Sequence, residues 1–350
     1  MRPTTKDLAR AAGVSLATID RVLNGRPGVR EKTVKAVNQA IDELGFVRNL
    51  SAANLARGRT YRFLFLLPRQ GDQFLETLIE RIEEARSGVV ADSILVRHLR
   101  SLDEDPHQTA RVLAEQTPDS VDGVAIMAPE SPQVRDAIAR LIERGVEVVQ
   151  FVSAQSLERR VDLVGIDNRA AGATAARLLG RFVGARRGKV LVVAETMNAR
   201  DSLERRLGFD RVLTGEFPGL EALPSLETHA DPARARRTVR NAVESYPEIV
   251  AAYVLTSEAK APVEALRAVC DLRRIVVIAH ERTRYTEAGL ASGDIDAVIA
   301  QDPGHLVRSA IRLLRARSDD REPIASQEQV RIEILIEDNV RAGNGAPPSH

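Results

Sequence analysis

From Arg62 onward, short apolar runs alternate with amphipathic stretches of helical period, and few folds accept that order. RFLFLLP (62–68), SILVRHL (93–99), VDGVAIMAP (121–129) and VEVVQFVS (146–153) are separated by FLETLIERIEEAR (74–86), DPHQTARVLAEQ (105–116) and PQVRDAIARLIERG (132–145). The pattern starts again around residue 163: VDLVGIDN, KVLVVAE, IVAAYVL and RIVVIAHE stand between helical stretches such as RAAGATAARLLGRFV, LERRLGFDRVLTG and ARRTVRNAVESY. Strand–helix alternation of this kind implies parallel sheets covered on both faces. Its repetition implies an α/β fold of two similar lobes with a cleft between them.

The first 60 residues differ from this body in charge. They hold eleven Lys/Arg against five Asp/Glu, a net +6, whereas the whole chain of 350 residues carries only +1, so the remaining 290 carry −5. A basic head on a mildly acidic body fits a nucleic-acid module joined to a second function, although a merely soluble basic helical head would show the same sum. Composition is that of an ordinary globular protein, 44% hydrophobic and 28% charged. The densest apolar cluster, FLFLL (63–67), falls far short of the roughly 20 residues a membrane helix needs. The opening MRPTTKDLAR is polar and charged, unlike a secretory signal, so a cytoplasmic protein without a membrane partner is expected. Cys270 is alone, which excludes an internal disulfide and any multi-cysteine metal site; no cofactor is called for.

Within the head, Thr4 with Asp7 three residues later has the form of a capping box, with Leu8, Ala9 and Ala12 on one apolar face behind it. Gly13 stops this helix, Val14 is a buried pivot, and Ser15 is a good N-cap for a second helix through Leu23. Asn24-Gly25 ends the second helix. A third runs from about Glu31 to Leu44, with Val34, Val37, Ile41 and Leu44 at helical spacing and a weak start at Arg30. Two short helices joined at a glycine and followed by a longer one is the helix-turn-helix plan, though any small helical bundle shares its outline. VRNLSAANLARG (47–58) then offers one or two helical turns between Asn49 and Gly58. Isolated helices shorter than about 12–15 residues are marginal in water, so this segment is expected to order only against a partner.

KDLARAAGVSLATIDRVLNG, followed by DELGF and RNLSAANLARG, resembles the head and hinge of the LacI/GalR (lactose-repressor) family of transcriptional regulators. The remainder resembles that family's periplasmic-binding-protein-like core more loosely. The resemblance implies a helix-turn-helix domain over 1–48, a hinge helix and linker over 49–61, a two-lobed effector-binding and dimerisation core over 62–340, and a disordered tail over 341–350. It implies a homodimer, with higher assembly left open, that represses transcription from a palindromic operator under control of a small, sugar-like effector. A corepressor-type regulator answering to a non-sugar metabolite is the competing reading, and a pure small-molecule binding protein a more distant one. The resemblance places Leu16, Ala17 and Arg21 at base edges: the apolar pair can touch thymine methyls, and Arg21 can fork onto guanine. Thr4, Ser15, Thr18 and Asn24 are candidate phosphate contacts. Leu55 matches the family's minor-groove wedge, with Ala52 and Ala56 beside it. Leu16 packing locally and Leu55 covering the core are the bland alternatives. Asp20 departs from the family, which has Ser there. It either accepts from a cytosine amine or turns towards a basic side chain of a neighbouring helix.

In open α/β sheets, ligands sit outside the carboxyl ends of the strands. That rule nominates Arg69, Gln70, Asp72 and Phe74 after the first strand, Glu130 and Ser131 after VAIMAP, and Gln155 after VVQFVS. LERRLGF matches the family's ligand-facing arginine at Arg205; Glu281 follows VVIAH and Gln301 follows VIA. Acid, amide, guanidinium and one ring together suit a polyhydroxylated ligand, although each residue alone could be a solvated loop residue or a cleft salt bridge. The family's Asn-Asp ligand pair is replaced here by TSEAK (256–260). No HExxH, GxSxG or P-loop appears, GIDNRAAG (165–172) lacks dinucleotide spacing, and His280 beside Glu281 completes no catalytic set, so no enzyme is expected.

Overall fold

The computed structural model describes residues 3–23, 27–44, 60–69, 71–89, 93–102, 105–157 and 161–341. It divides into two compact units, residues 1–60 and 61–350. The expected hinge over 49–58, with Ala52, Leu55 and Ala56, lies outside the described residues, as do Asn24 and Gln70.

The head holds three helices, α1 (Thr5–Ala11), α2 (Leu16–Leu23) and α3 (Glu31–Leu44). The Thr4–Asp7 capping box is complete: the Thr4 hydroxyl accepts from the Asp7 amide and the Asp7 carboxylate accepts from the Thr4 amide. Gly13 takes the left-handed conformation (φ 65°) in the turn, and the Ser15 hydroxyl accepts from the Thr18 amide at 3.2 Å. Leu8, Ala9, Ile19, Val37 and Ala40 form the small core, with Ala12, Val14 and Ile41 half-buried around it. The third helix therefore buries Val37 and Ala40, while Leu44, expected on its apolar face, is exposed.

The second unit opens with β1 (Tyr61–Pro68), α4 (Gln73–Gly88), β2 (Ile94–Leu102), α5 (Pro106–Ala114), β3 (Gly123–Ile126), α6 (Pro132–Glu143), β4 (Glu147–Phe151) and β5 (Leu163–Val164). These strands form a parallel sheet in the order β2-β1-β3-β4-β5. The chain continues with α7 (Asn168–Val183), β6 (Gly188–Ala194), α8 (Arg200–Glu216), β7 (Leu220–Ala222), β8 (Leu226–Glu227), α9 (Pro232–Ser245), β9 (Ile249–Val254), α10 (Lys260–Arg267), β10 (Val276–His280), α11 (Arg284–Ser292) and β11 (Ala297–Ala300). Then come α12 (Pro303–Ser318), α13 (Ala325–Glu328), β12 (Glu333–Leu335) and α14 (Glu337–Arg341). The second sheet runs β12-β11-β10-β9-β6-β7, with β8 also on β6 and β12 antiparallel to β11. Leaving out β8 and β12, the two sheets share one strand order, so the repeat in the sequence is a repeat in topology.

Both faces of each sheet are buried, and the side chains alternate between them with period two. Phe63, Phe65 and Leu67 point into the main core cluster while Leu64 and Leu66 point into a second one under α5 and α6. In the other lobe Val190, Val192, Ala251 and Tyr253 face the main cluster, and Leu191, Val193, Ala252 and Val254 face a third under α9 and α10. Helix α12, absent from the sequence reading, buries Leu306, Val307, Ala310, Ile311 and Leu314 against α4, β3 and β4. The chain thus enters the second lobe after β5, returns to the first for α12, and goes back for β12.

Two expected boundaries move. Tyr61, assigned to the linker, is the first residue of β1: it is fully buried, its ring lies 5.9 Å from Phe63, and its hydroxyl donates to Asp319. Arg341, assigned to the tail, closes α14, which Val340 anchors by burial and the Asn339 side chain caps on Ile336; residues 342–350 lie outside the described ones. Among the described residues no helix is long and apolar enough to cross a membrane.

Candidate functional site

In the head, α2 buries Ile19 and turns the other side outward. Leu16 is 47% exposed, and Ala17 and Arg21 are exposed beside it. Leu16, Ala17 and Arg21 therefore share one exposed side of a short helix, with Ile19 turned inward. The polar candidates are already part of the scaffold. Thr4 Oγ1 lies 2.6 Å from the Asp7 carboxylate, and Ser15 Oγ lies 2.9 Å from Thr18 Oγ1, so these hydroxyls cap helices while facing solvent. Asp20 is half-buried and already takes part in an interaction of its own.

In the core, the strand-end rule gathers its residues at the carboxyl ends of both sheets. Arg205 projects from α8 and is 3% exposed. Its Nε donates to Asn168 Oδ1 at 2.9 Å, its Nη1 to the Leu255 carbonyl at 2.8 Å, and its Nη2 stands 3.4 Å from Glu281 Oε1. Gln301 Nε2 donates to that same oxygen at 3.0 Å. Glu281 Oε2 and Gln301 Oε1 are left buried without a hydrogen-bond partner. Buried acceptors are seldom left bare, because the lost hydration costs about 1–3 kcal/mol. These two bare acceptors make the Arg205–Glu281–Gln301 corner the candidate site.

Local geometry serves that placement. Glu281 holds φ at 63°, a left-handed conformation that a side chain adopts at a cost, and it is pinned by its amide donating to the Ile299 carbonyl at 2.9 Å. Burial pushes its carboxyl up to about 7 against the pull of Arg205 and Gln301, with Asp72 and Asp201 adding repulsion. Behind Arg205, Phe209 stacks on Tyr253 at 4.4 Å, and the Tyr253 hydroxyl lies 2.8 Å from His280 Nε2. Burial, with Arg205 nearby, holds His280 well below its usual range, so it is a neutral supporting ring.

Arg205 could not sit here without two glycines. A Cβ on Gly172 of α7 would fall inside contact distance of the Arg205 carbonyl oxygen, and one on Gly208 of α8 would collide with the Arg169 carbonyl oxygen. Gly172, the second glycine of GIDNRAAG, is a helix-crossing residue.

The first-lobe candidates fare unevenly. Phe74 is 3% exposed within the main core cluster and packs there, because α4 turns its second residue under the sheet. Asp72 and Ser131 cap α4 and α6. Gln155 is buried, with Nε2 on the Ala128 carbonyl and Oε1 unpartnered. Arg69 is exposed at the end of β1. Glu130 is already bonded: it accepts from Arg135 and from the Ser156 amide at 3.0 Å each, and Arg200 of the second lobe stands 3.7 Å away. Burial opposes its ionisation, but those bonds and cations hold its carboxyl below the usual range. Arg200 also reaches the Ser156 hydroxyl, and the Tyr285 amide of α11 donates to Gln73 Oε1 of α4 at 3.3 Å. These bonds bridge the two lobes across the cleft.

Residues 4–49 match the family model described as bacterial regulatory proteins, lacI family, and residues 63–322 match that of the periplasmic binding protein domain. The chain belongs to the periplasmic binding protein domain family and carries a lacI-family head. Among curated relatives, the HTH-type transcriptional regulator RegA of Clostridium saccharobutylicum is 36% identical over 48% of this chain and 48% of its own length. Catabolite control protein A of Streptococcus mutans is 29% identical over 51% of each. The maltose regulon regulatory protein MalI of Escherichia coli is 33% identical over 47% of this chain and 46% of its own. The chain spans about half the length of these relatives. The fold of the binding-protein core recurs in an ABC transporter periplasmic solute binding protein of Actinobacillus succinogenes with bound D-allose (TM-score 0.73, 14% identity, 81% of this chain and 100% of that one). It recurs also in a LacI transcriptional regulator of Bacteroides fragilis, so described in its structure (TM-score 0.70, 19% identity, 81% and 99%).

Sequence reasoning did not single out Asn168, Gly172, Gly208 or Arg200 as parts of this arrangement. Asn168 follows Asp167, which caps α7, and that pair at the mouth of a glycine-bearing helix was the available signal.

Proposed function

We propose that this lacI-family chain is a sequence-specific DNA-binding transcriptional regulator, a repressor whose operator affinity is set by a small polar effector of the sugar or sugar-derivative class. The observation that carries the proposal is the pairing, in one chain, of an outward-facing α2 bearing Leu16, Ala17 and Arg21 with a core that leaves Glu281 Oε2 and Gln301 Oε1 bare at the strand ends. One head covers too few base pairs for a genome-scale search, so the working unit is a homodimer on a palindrome with half-sites about one helical turn apart. Effector seated between Arg205, Glu281 and Gln301 shifts the lobes, and by linkage changes operator affinity by the difference of its affinities for the two states, typically about 1–3 kcal/mol. Arg69 and Gln155 are the first-lobe contacts. The fold shared with a D-allose-bound protein supports a sugar-like occupant. The regulator acts in the cytoplasm, where its DNA is.

The test is footprinting of the purified chain on its own upstream DNA, with and without pooled sugars. A protected palindrome whose occupancy changes with sugar is the expected result. No protection at any upstream site, or protection indifferent to every small molecule in the pool, would overturn it. The direction of the change separates inducer from corepressor.

A further inference from the structure

One helix joins the candidate effector corner to the place where the chain enters the core. Strand β11 of the second lobe ends one residue before Gln301, which is buried and bonded through Nε2 to Glu281. Asp302 follows and caps α12, its carboxylate accepting from the Gly304 amide at 2.8 Å. The helix then runs for 16 residues, about 24 Å, with no glycine or proline after Gly304. At its far end stands the C-cap residue Asp319, whose side chain is only 4% exposed. That carboxylate accepts from the Tyr61 hydroxyl and from the Arg321 guanidinium.

Tyr61 is where residues 1–60, the other compact unit, connect to β1. Its backbone and side chain are both fixed: the amide donates to the Ser93 carbonyl at 2.9 Å, and the Arg315 guanidinium of α12 lies 5.7 Å from the ring centroid. Arg317, on the same helix, holds Asp162 at 2.7 Å, just ahead of β5 and the crossing to the second lobe. The last turns of α12 therefore grip both the first residue of the core and the segment that leads to the other lobe. Sharp bends need proline, glycine or an interrupted hydrogen-bond ladder, so a helix without them passes a displacement from one end to the other. Helix shifts of about 1–2 Å are enough to switch a packed contact.

We propose that the Tyr61–Asp319 bond is the output contact of effector control. Helix α12 carries the state of the Arg205–Glu281–Gln301 corner to the root of the linker, and Tyr61 and Asp319 set how the head is presented to operator DNA. Both side chains are buried, so they act as positioning residues and not as DNA contacts. The proposal rests on the chain being a DNA-binding regulator.

Quantitative footprinting of the 350-residue chain on its own upstream DNA, in competition with a random-sequence duplex, tests it without any effector. The quantity read is the ratio of specific to nonspecific affinity, which a general loosening of the core leaves unmoved. Tyr61→Phe and Asp319→Leu should each lower that ratio about fivefold or more. Because both remove one contact, the double variant should fall no further than the weaker single. Asp319→Asn keeps an acceptor for the hydroxyl and should stay within about twofold of the unaltered chain. Gln301→Ala should change the ratio about threefold or more in the unaltered chain and leave it unchanged in Tyr61→Phe. Melting temperatures show that each variant is folded in the assay; where a single variant is not, the double variant, apolar on both sides, takes its place against the unaltered chain. Unchanged ratios in Tyr61→Phe and Asp319→Leu, additive losses in the double, or a Gln301→Ala effect that is absent or survives Tyr61→Phe would overturn the proposal and leave the regulator standing. An unaltered chain that protects no DNA overturns both.

Discussion

The guanidinium of Arg205 stands 3.4 Å from the carboxylate of Glu281, with both side chains almost wholly closed to solvent. Breaking a buried pair by removing one partner leaves an uncompensated charge, which costs about 3–5 kcal/mol. Arg205→Ala is therefore expected to lower stability by about 3 kcal/mol and to abolish the effector response. Adding Glu281→Gln should recover part of the stability without recovering the response. Chemical denaturation alongside ligand titration checks both, and a double variant no more stable than the single would contradict the pairing.

Glu281 also sets a pH dependence. Burial raises its carboxyl from 4.5 to about 7, while Arg205 and Gln301 favour the ionised form and Asp72 and Asp201 oppose it. Because the folded state holds this proton more tightly, its contribution to stability is full below about 4.5 and is lost as pH rises through about 7, a change of about 3 kcal/mol at most. Effector binding runs the other way: donors aimed at Oε2 prefer the carboxylate, so affinity should rise up to about pH 7 and then level. Glu281→Gln should flatten the stability profile between these limits, measured by urea midpoints against pH.

Gly172 and Gly208 hold the backbones of α7 and α8 together at Arg205. Gly172→Ala forces a methyl against the Arg205 carbonyl oxygen, backbone that cannot swing aside. Overpacking of this kind costs about 1–3 kcal/mol or more, and here it also displaces Arg205. Loss of effector binding together with a lowered melting temperature is expected; a variant that binds normally would show that the crossing can relax.

Arg200 bridges the lobes at partly exposed sites, 34% for its own side chain and 21% for Glu130. Solvent screens such a pair, so Arg200→Ala should change stability by no more than about 1 kcal/mol. Its effect should fall on effector release, with a faster dissociation rate in stopped-flow measurements and little change in association.

On α2, Arg21→Ala is expected to cost about 1–3 kcal/mol of operator affinity and to relax preference at one base pair. Asp20→Ser, scored on a panel of half-sites, separates the two roles of that carboxylate: a uniform gain in affinity marks charge alone, and an altered base preference marks a cytosine contact. Leu55→Gly should remove specific binding while leaving salt-dependent nonspecific binding.

Much of this molecule was legible in local pattern. Capping chemistry at Thr4, Asp7 and Ser15 and the glycine at 13 defined the head, because a helix end is decided by residues within four positions of it. Strand–helix alternation outlined both lobes, the strand-end rule pointed to Glu281 and Gln301, and the family resemblance pointed to Arg205; the structure brings Arg205 and Gln301 to the Glu281 carboxylate. Helix α12 was missed although its Asp302 cap, Pro303 and the spacing of Leu306, Val307, Ala310, Ile311 and Leu314 mark it locally; only its place against α4 and β4, more than 150 residues earlier, needed the tertiary structure.

The sequence alone determined most of the helices and strands, α12 excepted, and which polar residues stand at their ends, for these are near-neighbour matters of hydrogen bonding and period. Tertiary structure decided which of those residues meet. It sent Phe74 into the core, tied Glu130 to Arg200, made Gly172 a contact for Arg205, and left one oxygen each of Glu281 and Gln301 bare. Burial and charge compensation depend on what the rest of the chain packs alongside, and no local pattern carries that.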